Sequence, residues 1–144
     1  MKYLSYTIMI LLCATVSAVA IEEGDFFEVE FLVYSGRPNP TFIVRNDAVI
    51  TEIENRVESL IVEKTVEHDP STGLREISPG FILCTMSIDG AIKSELLIFR
   101  KQCWRITKQG KLEVLNDVSS GTSLMRILVE EGESAGIFFR EKPE

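Results

Sequence analysis

The chain has 144 residues and a formal net charge of −7, with 22 acidic side chains against 15 Lys or Arg and a single histidine. This acidic balance disfavours contact with phosphate backbones, so we do not expect a nucleic-acid partner. One histidine and no tight carboxylate cluster leave too few ligands for a usual metal site, and no phosphate-binding glycine motif occurs, so we expect no metal and no cofactor.

The N-terminus has the pattern of an export signal. Lys2 precedes an apolar run over residues 7–16, and Ala18-Val19-Ala20 supplies the small residues that a signal peptidase requires. The run is shorter than the roughly 20 residues of a membrane span, which argues against a retained anchor. We therefore expect a signal peptide over residues 1–20 and a single domain over residues 21–144, with a net charge of −8 after the loss of Lys2. We also expect no membrane span after cleavage and a secreted or periplasmic location.

The first predicted strand runs from Phe26 to Tyr34. Apolar and acidic residues alternate along it, so one face is expected to be buried, while Glu28 and Glu30 point to the other. A helix is predicted next, capped by Asn46 or Asp47 and ending near Lys64. Its apolar stripe comprises Ile50, Ile53, Val57, Leu60 and Ile61.

Residues 65–80 contain many turn residues and show no period, which predicts a long exposed loop that is either functional or mobile. Hairpins are predicted after it, because Asp89-Gly90 and Gln109-Gly110 are typical turn dipeptides between apolar runs. The expected strands are 81–88, 92–100, 103–107 and 112–115.

A short helix is predicted after the last hairpin, capped by Thr122 or Ser123, carrying Leu124, Ile127 and Leu128, and closed by Gly132. Residues 137–139 could add an edge strand. The order β-α-β-β-β-β-α predicts an α+β domain, with a mostly antiparallel sheet of about four to five strands and two helices on one face. A parallel pair is expected only at the strand–helix–strand start.

The segment 34–40 follows the first strand and holds two candidate binding residues. Gly36 permits a bend, and Pro38 and Pro40 restrict the residues before them to extended geometry, so Arg37 and Asn39 are displayed at defined angles. In one interpretation they bind backbone carbonyls or an internal acid, such as Glu95 or Asp117. In the other they face outward and bind a partner's carboxylate or backbone.

The string Ser35-Gly36-Arg37-Pro38-Asn39-Pro40 resembles the S-G-R-P-N-P signature of a family of small uncharacterised proteins. In that family the signature follows a first strand and precedes a helix, as predicted for this chain, although Phe42 stands where a tryptophan is expected. The resemblance supports the order of the elements and implies no activity, because none is assigned to the family.

Cys84 and Cys103 are the two cysteines that remain after cleavage. In an oxidising compartment an even pair suggests one disulfide, which we expect to stabilise the fold by about 3 kcal/mol if it forms. Two unpaired cysteines, one of them buried in a strand, are the alternative.

Residues 100–111 carry five basic side chains and Trp104 at the centre. Trp104 and Arg105 are therefore candidate contacts for an acidic macromolecule or a polysaccharide. The alternative is an edge hairpin protected by charge, with Trp104 in the core.

The sequence favours a non-enzymatic module that binds a protein or another macromolecule, in one version as an inhibitor. A small hydrolase that uses carboxylates and His68 is the first alternative. Glu28 and Glu30 share a strand face and could form an acid–base pair, but they fit the solvent-exposed face of the first strand better, and His68 lies beside Asp69 in the predicted loop without fixed geometry. A structural or accessory protein of the cell envelope is the second.

Overall fold

The computed structural model describes residues 23–32 and 38–139. The predicted signal peptide, Arg37 and the end of the first predicted strand lie outside the described residues. Within them the chain forms seven strands and two α-helices in the order β-β-α-β-β-β-β-β-α. Their bounds are β1 Phe26–Leu32, β2 Thr41–Val44, α1 Asp47–Glu58, β3 Ile61–Glu67, β4 Gly80–Met86, β5 Ile92–Phe99, β6 Gln102–Ile106, β7 Lys111–Asn116 and α2 Leu124–Ser134.

The strands form one sheet in the order β2-β1-β4-β5-β6-β7-β3, and every neighbouring pair is antiparallel. The predicted α+β class, the antiparallel sheet and the two helices on one face are confirmed. The predicted strand number and the order of the elements are wrong, because β2 and β3 were not expected and no parallel pair is present among the described strands.

The first helix ends six residues earlier than predicted. It stops at Glu58, and Ile61, which was assigned to its apolar stripe, begins β3. The β-branched residues that follow favour a strand, and pairing with β7 satisfies their backbone groups. The other unexpected strand, β2, follows directly after the proline segment and buries Phe42 and Val44. Residues 137–139 form no strand, and α2 continues past Gly132 to Ser134.

The first face of the sheet carries the main core. Alternate residues of β1 and β4, including Val29 and Phe81 at 0% exposure, pack against the apolar faces of α1 and α2. The predicted caps are confirmed at both helices: Asn46 Oδ1 accepts hydrogen bonds from the first turn of α1, and Ser123 Oγ accepts one from the first turn of α2.

Two crossing connections wrap the sheet and explain the long segment before β4. Because all neighbours are antiparallel, β2, β3 and β4 run in the same direction. The connection containing α1 moves the chain from one edge to the other over the first face. Residues 68–79 then bring it back over about 19 Å, four strand spacings. Crossovers of the same hand that move in opposite directions must use opposite faces, so the return runs over the second face.

We call residues 68–79 the strap. The strap contains a short 3₁₀ turn, Leu74–Glu76, and Leu74 is only 4% exposed. This residue completes a second apolar cluster on the second face of the sheet, so the prediction of an exposed loop over residues 65–80 is wrong in part. The other buried members of the cluster are Phe26, Leu32, Ile82, Cys84, Met86 and Leu97.

Candidate functional site

A group of polar side chains interrupts the second apolar cluster. Glu28, Cys84 and Glu95 lie opposite one another on β1, β4 and β5 and so form one row across the sheet. Glu30 lies one row away on the same face. Arg75, from the strap, reaches both rows: its guanidinium lies 2.9 Å from Glu30 Oε2 and 3.3 Å from Glu95 Oε1.

Hydrogen bonding decides the charge state of Glu30. Its partial burial alone would raise its pKa, but the hydrogen bonds donated by Asn39 and Arg75 outweigh that effect, and the pKa lies below its ordinary value. Burial likewise opposes the charge of Arg75, while its bonds to Glu30 and Glu95 raise its pKa. Both partners are therefore charged at neutral pH, and the strap is tied to the sheet by ion pairs.

Cys84 lies beneath this ion-pair group. Its thiol donates a weak hydrogen bond to Glu95 Oε1 at 3.6 Å. Burial first, and then the neighbouring negative charge of Glu95, raise the pKa of Cys84 to about 12. A thiol with this pKa carries almost no thiolate at neutral pH, so Cys84 does not have the properties of a nucleophile in this arrangement.

The disulfide expected between Cys84 and Cys103 is not formed; both cysteines are free and buried. Cys84 pairs with Glu95 on the second face, whereas Cys103 pairs with Ile98, which points into the first core. The two strands are separated by β5, a distance of about 9.5 Å, and the side chains leave opposite faces. Burial raises the pKa of Cys103 to about 12 as well.

Of the two interpretations of the proline segment, contact with an internal acid or contact with a partner, the first describes Asn39. Its Nδ2 donates to Glu30 Oε1 at 2.8 Å, so it binds an internal acid, though neither of the two that were named. Arg37 lies outside the described residues. Asp117 instead accepts hydrogen bonds from the backbone N–H groups of Ser119 and Leu124 and so caps α2.

The basic stretch is divided between two ends of a hairpin. Arg100 and Lys101 lie in the turn before β6, and Lys108 and Lys111 lie at its far end, about 17 Å away by strand length. Arg105, between them, pairs with Glu113 at 2.5 Å. Trp104 is half-buried at the margin of the second cluster. The turn between β5 and β6, which holds Arg100 and Lys101, borders an open hollow of about 430 Å³ that is lined by Phe99, Arg100, Lys101 and Gln102.

His68, the residue that a hydrolase would need, lies at the start of the strap. Its Nε2 is 2.7 Å from the backbone carbonyl oxygen of Thr72. This contact holds the ring against its own segment. Neither cysteine is in the same segment, and both are buried in the sheet.

The sheet has one long open edge, formed by β3. All seven of its residues are exposed, including Ile61, Val62 and Val66. On the second face Val66 continues a row of apolar side chains with Leu112 and Ile106, which lie opposite one another on β7 and β6. The other edge, β2, has only four residues and follows Pro38 and Pro40, which prevent it from extending.

Sequence reasoning missed Arg75 and the β3 edge. The run Ile61-Val62-Glu63-Lys64-Thr65-Val66 contains four β-branched residues, a strand signal that was hidden because Leu60 and Ile61 also fit the helical period. No local signal marks Arg75, because its partners are 45 and 20 residues away along the chain.

Among the described residues, no group of three or more His, Cys, Asp or Glu side chains is arranged to hold a metal ion. No helix in the described part of the chain has the length and apolar character needed to cross a membrane. In the comparisons with known proteins, no family model, no curated protein and no solved structure matches this chain.

Proposed function

We propose that this chain is an exported, non-enzymatic module that binds another protein, and that an extended segment of that protein adds to the sheet along β3. The observation that carries the proposal is the open edge itself: seven exposed residues at the end of a seven-stranded antiparallel sheet. An edge strand presents unpaired backbone N–H and C=O groups, which an added strand can satisfy. The apolar row at Val66 offers side-chain contacts beside them.

Charge favours a different protein over a second copy of this chain as the occupant. The register of β3 against β7 shifts between Val62 and Lys64, so Glu63 interrupts the regular alternation of the strand. In the regular part of β3, a two-fold antiparallel pairing centred on Lys64 places two lysines opposite each other. Like charges directly opposite are destabilising, so this register of self-pairing is disfavoured.

The contacts of the candidate catalytic residues favour binding over hydrolysis. His68 contacts the backbone of its own strap, and burial raises the pKa of both thiols to about 12. A nucleophile, a base and an orienting acid must meet within hydrogen-bond distance for that chemistry. An accessory role in the cell envelope, the other alternative, is compatible with the same edge, since it also requires contact with a protein.

The edge can be tested with two matched lysine substitutions. Val66→Lys places a charge on β3, and Ile43→Lys places one on β2 at the opposite edge of the sheet; both positions are exposed, so folding should be little affected. The full chain is expressed with its own leader, recovered from the exported fraction, and used to capture proteins. Its intact mass reports at the same time whether cleavage occurs after Ala20.

We expect the same proteins to be captured by the wild type and by Ile43→Lys, and to be lost with Val66→Lys. Deuterium uptake of the backbone at residues 61–67 should fall in the captured complex, because added strands protect amides. A captured set that Val66→Lys leaves unchanged, or protection elsewhere with none on β3, would refute the proposal for this edge. Uncleaved protein confined to the cytosol would refute export.

A further inference from the structure

We propose that the strap is a hinged cover on the second face of the sheet, which opens as a unit while the sheet and both helices stay folded, and that Arg75 holds it closed through Glu30 and Glu95. The described backbone hydrogen bonds within the strap are local. They run from Thr72 to Asp69, from Glu76 to Gly73, and from Ile77 to Leu74.

The strap meets the sheet through side chains. Leu74 inserts into the second apolar cluster, Ile77 packs at its margin, and Arg75 forms the ion pairs. Neither Leu74 nor Arg75 contributes to a strand ladder, and Pro70 and Pro79, near the two ends of the strap, cannot donate a backbone hydrogen bond to one. Lifting the strap therefore breaks none of the ladder hydrogen bonds that hold the seven strands together.

The first core is independent of this movement. Both helices pack on the opposite face of the sheet, against residues that the strap does not contact. Opening would uncover Ile82 and Leu97, both fully buried, together with the row formed by Glu28, Cys84 and Glu95. Cys84 thus lies under the cover, whereas Cys103 lies in the first core.

The two thiols provide a reporter and an internal control. The full chain is treated with N-ethylmaleimide at neutral pH, and the labelling rate of each cysteine is followed by peptide-resolved mass spectrometry. In Arg75→Gln we expect Cys84 to be labelled about three- to tenfold faster than in the wild type, the effect of one or two exposed ion pairs on an equilibrium constant, with Cys103 unchanged.

The direction of this change is diagnostic. The charge of Arg75 lowers the pKa of Cys84, so its removal alone would reduce the thiolate fraction and slow labelling. Faster labelling can therefore come only from greater access. Arg126→Gln is the matched control, because it removes an exposed ion pair with Glu130 on α2, at 3.0 Å, without touching the strap; we expect it to leave both rates unchanged.

A salt titration of the wild type supplies a second measurement that needs no variant. Raising the ionic strength screens the exposed Arg75 pairs, so it should speed labelling of Cys84 and leave Cys103 unchanged. Equal acceleration of both cysteines would mean that they become accessible through global unfolding and would overturn the proposal. So would a rate at Cys84 that neither Arg75→Gln nor salt alters.

Discussion

Gly80, at the start of β4, is the position where a single methyl group should be most damaging. Its backbone has φ of +140°, a region that residues with a side chain rarely adopt. A Cβ built there would lie 2.2 Å from the carbonyl oxygen of Ile98 and 3.2 Å from the Cβ of Phe99. The first of these atoms is main chain of the neighbouring strand β5, so it cannot rotate away.

Two other glycines separate the effect of the positive φ at Gly80 from the effect of the steric contact with β5. Gly110, in the turn before β7, also has positive φ, of +76°, but an added Cβ would meet nothing within 4 Å. Its replacement by Ala should cost only the backbone strain, about 1–2 kcal/mol. At Gly80 the same strain is joined by overpacking of about 1–3 kcal/mol, for a total of about 2–5 kcal/mol. Gly73, which has open space and no positive φ, should change by less than about 0.5 kcal/mol on replacement by Ala.

The free energy of unfolding can be measured for the three Ala variants by urea denaturation. The fluorescence of Trp104, the only tryptophan, reports on the second cluster, and far-UV circular dichroism reports on the whole domain. If Gly80→Ala has no folded baseline at 25 °C, the same variant is measured at lower temperature, and the order of the two controls still tests the reasoning. A loss at Gly80 no larger than that at Gly110 would show that β5 does not approach β4 as described.

Two further predictions concern ionisable groups. At Asp117 burial opposes the charge, but hydrogen bonds donated by Ser119 and Leu124 outweigh this effect and lower the pKa. The charged carboxylate therefore stabilises the fold above its unfolded pKa, and this stabilisation is lost as the pH falls through the folded pKa. Asp117→Asn should therefore lose about 1 kcal/mol at pH 7, and the difference in unfolding free energy should narrow as the pH falls below the ordinary pKa of an aspartate; a difference that does not change with pH in urea denaturation would contradict the cap. For Cys84 and Cys103, reductant should change neither the intact mass nor the urea midpoint, and a gain of two hydrogens on reduction would show a disulfide instead.

Local patterns were sufficient where neighbours in sequence decide the structure. The alternation in β1, the turn at Asp89-Gly90 and the caps Asn46 and Ser123 depend on residues a few positions apart. The turn and the caps are confirmed, and Phe27 and Val29 of β1 are buried on one face as predicted. The other face of β1 was expected to be open, but it buries Phe26 and Leu32 in the second cluster. At Ile61 two local patterns overlapped, and the helical interpretation was wrong. Pairing with β7, about fifty residues later, decided in favour of the strand, because it satisfies a whole row of backbone groups.

The candidate sites show the same division. The proline pattern predicted that Asn39 is held at a defined angle, but its hydrogen bond to Glu30 follows only from the tertiary structure, in which residues 38–40 lie beside β1. The prediction of a disulfide was wrong for a related reason. The sequence shows that Cys84 and Cys103 are separated by predicted turns, but the face of the sheet on which each side chain lies depends on strand register.

The amino-acid sequence by itself determined the acidic character, the alternating strands, the helix caps and hence an α+β domain, because each follows from local chemistry. Only the tertiary structure decided that β3 lies at the far edge and that residues 68–79 return across the second face of the sheet. It also decided that Arg75, within this return, pairs with Glu30 and Glu95 on the sheet. These arrangements join residues far apart in the chain, and their stability comes from pairing and burial that exist only once the sheet has assembled.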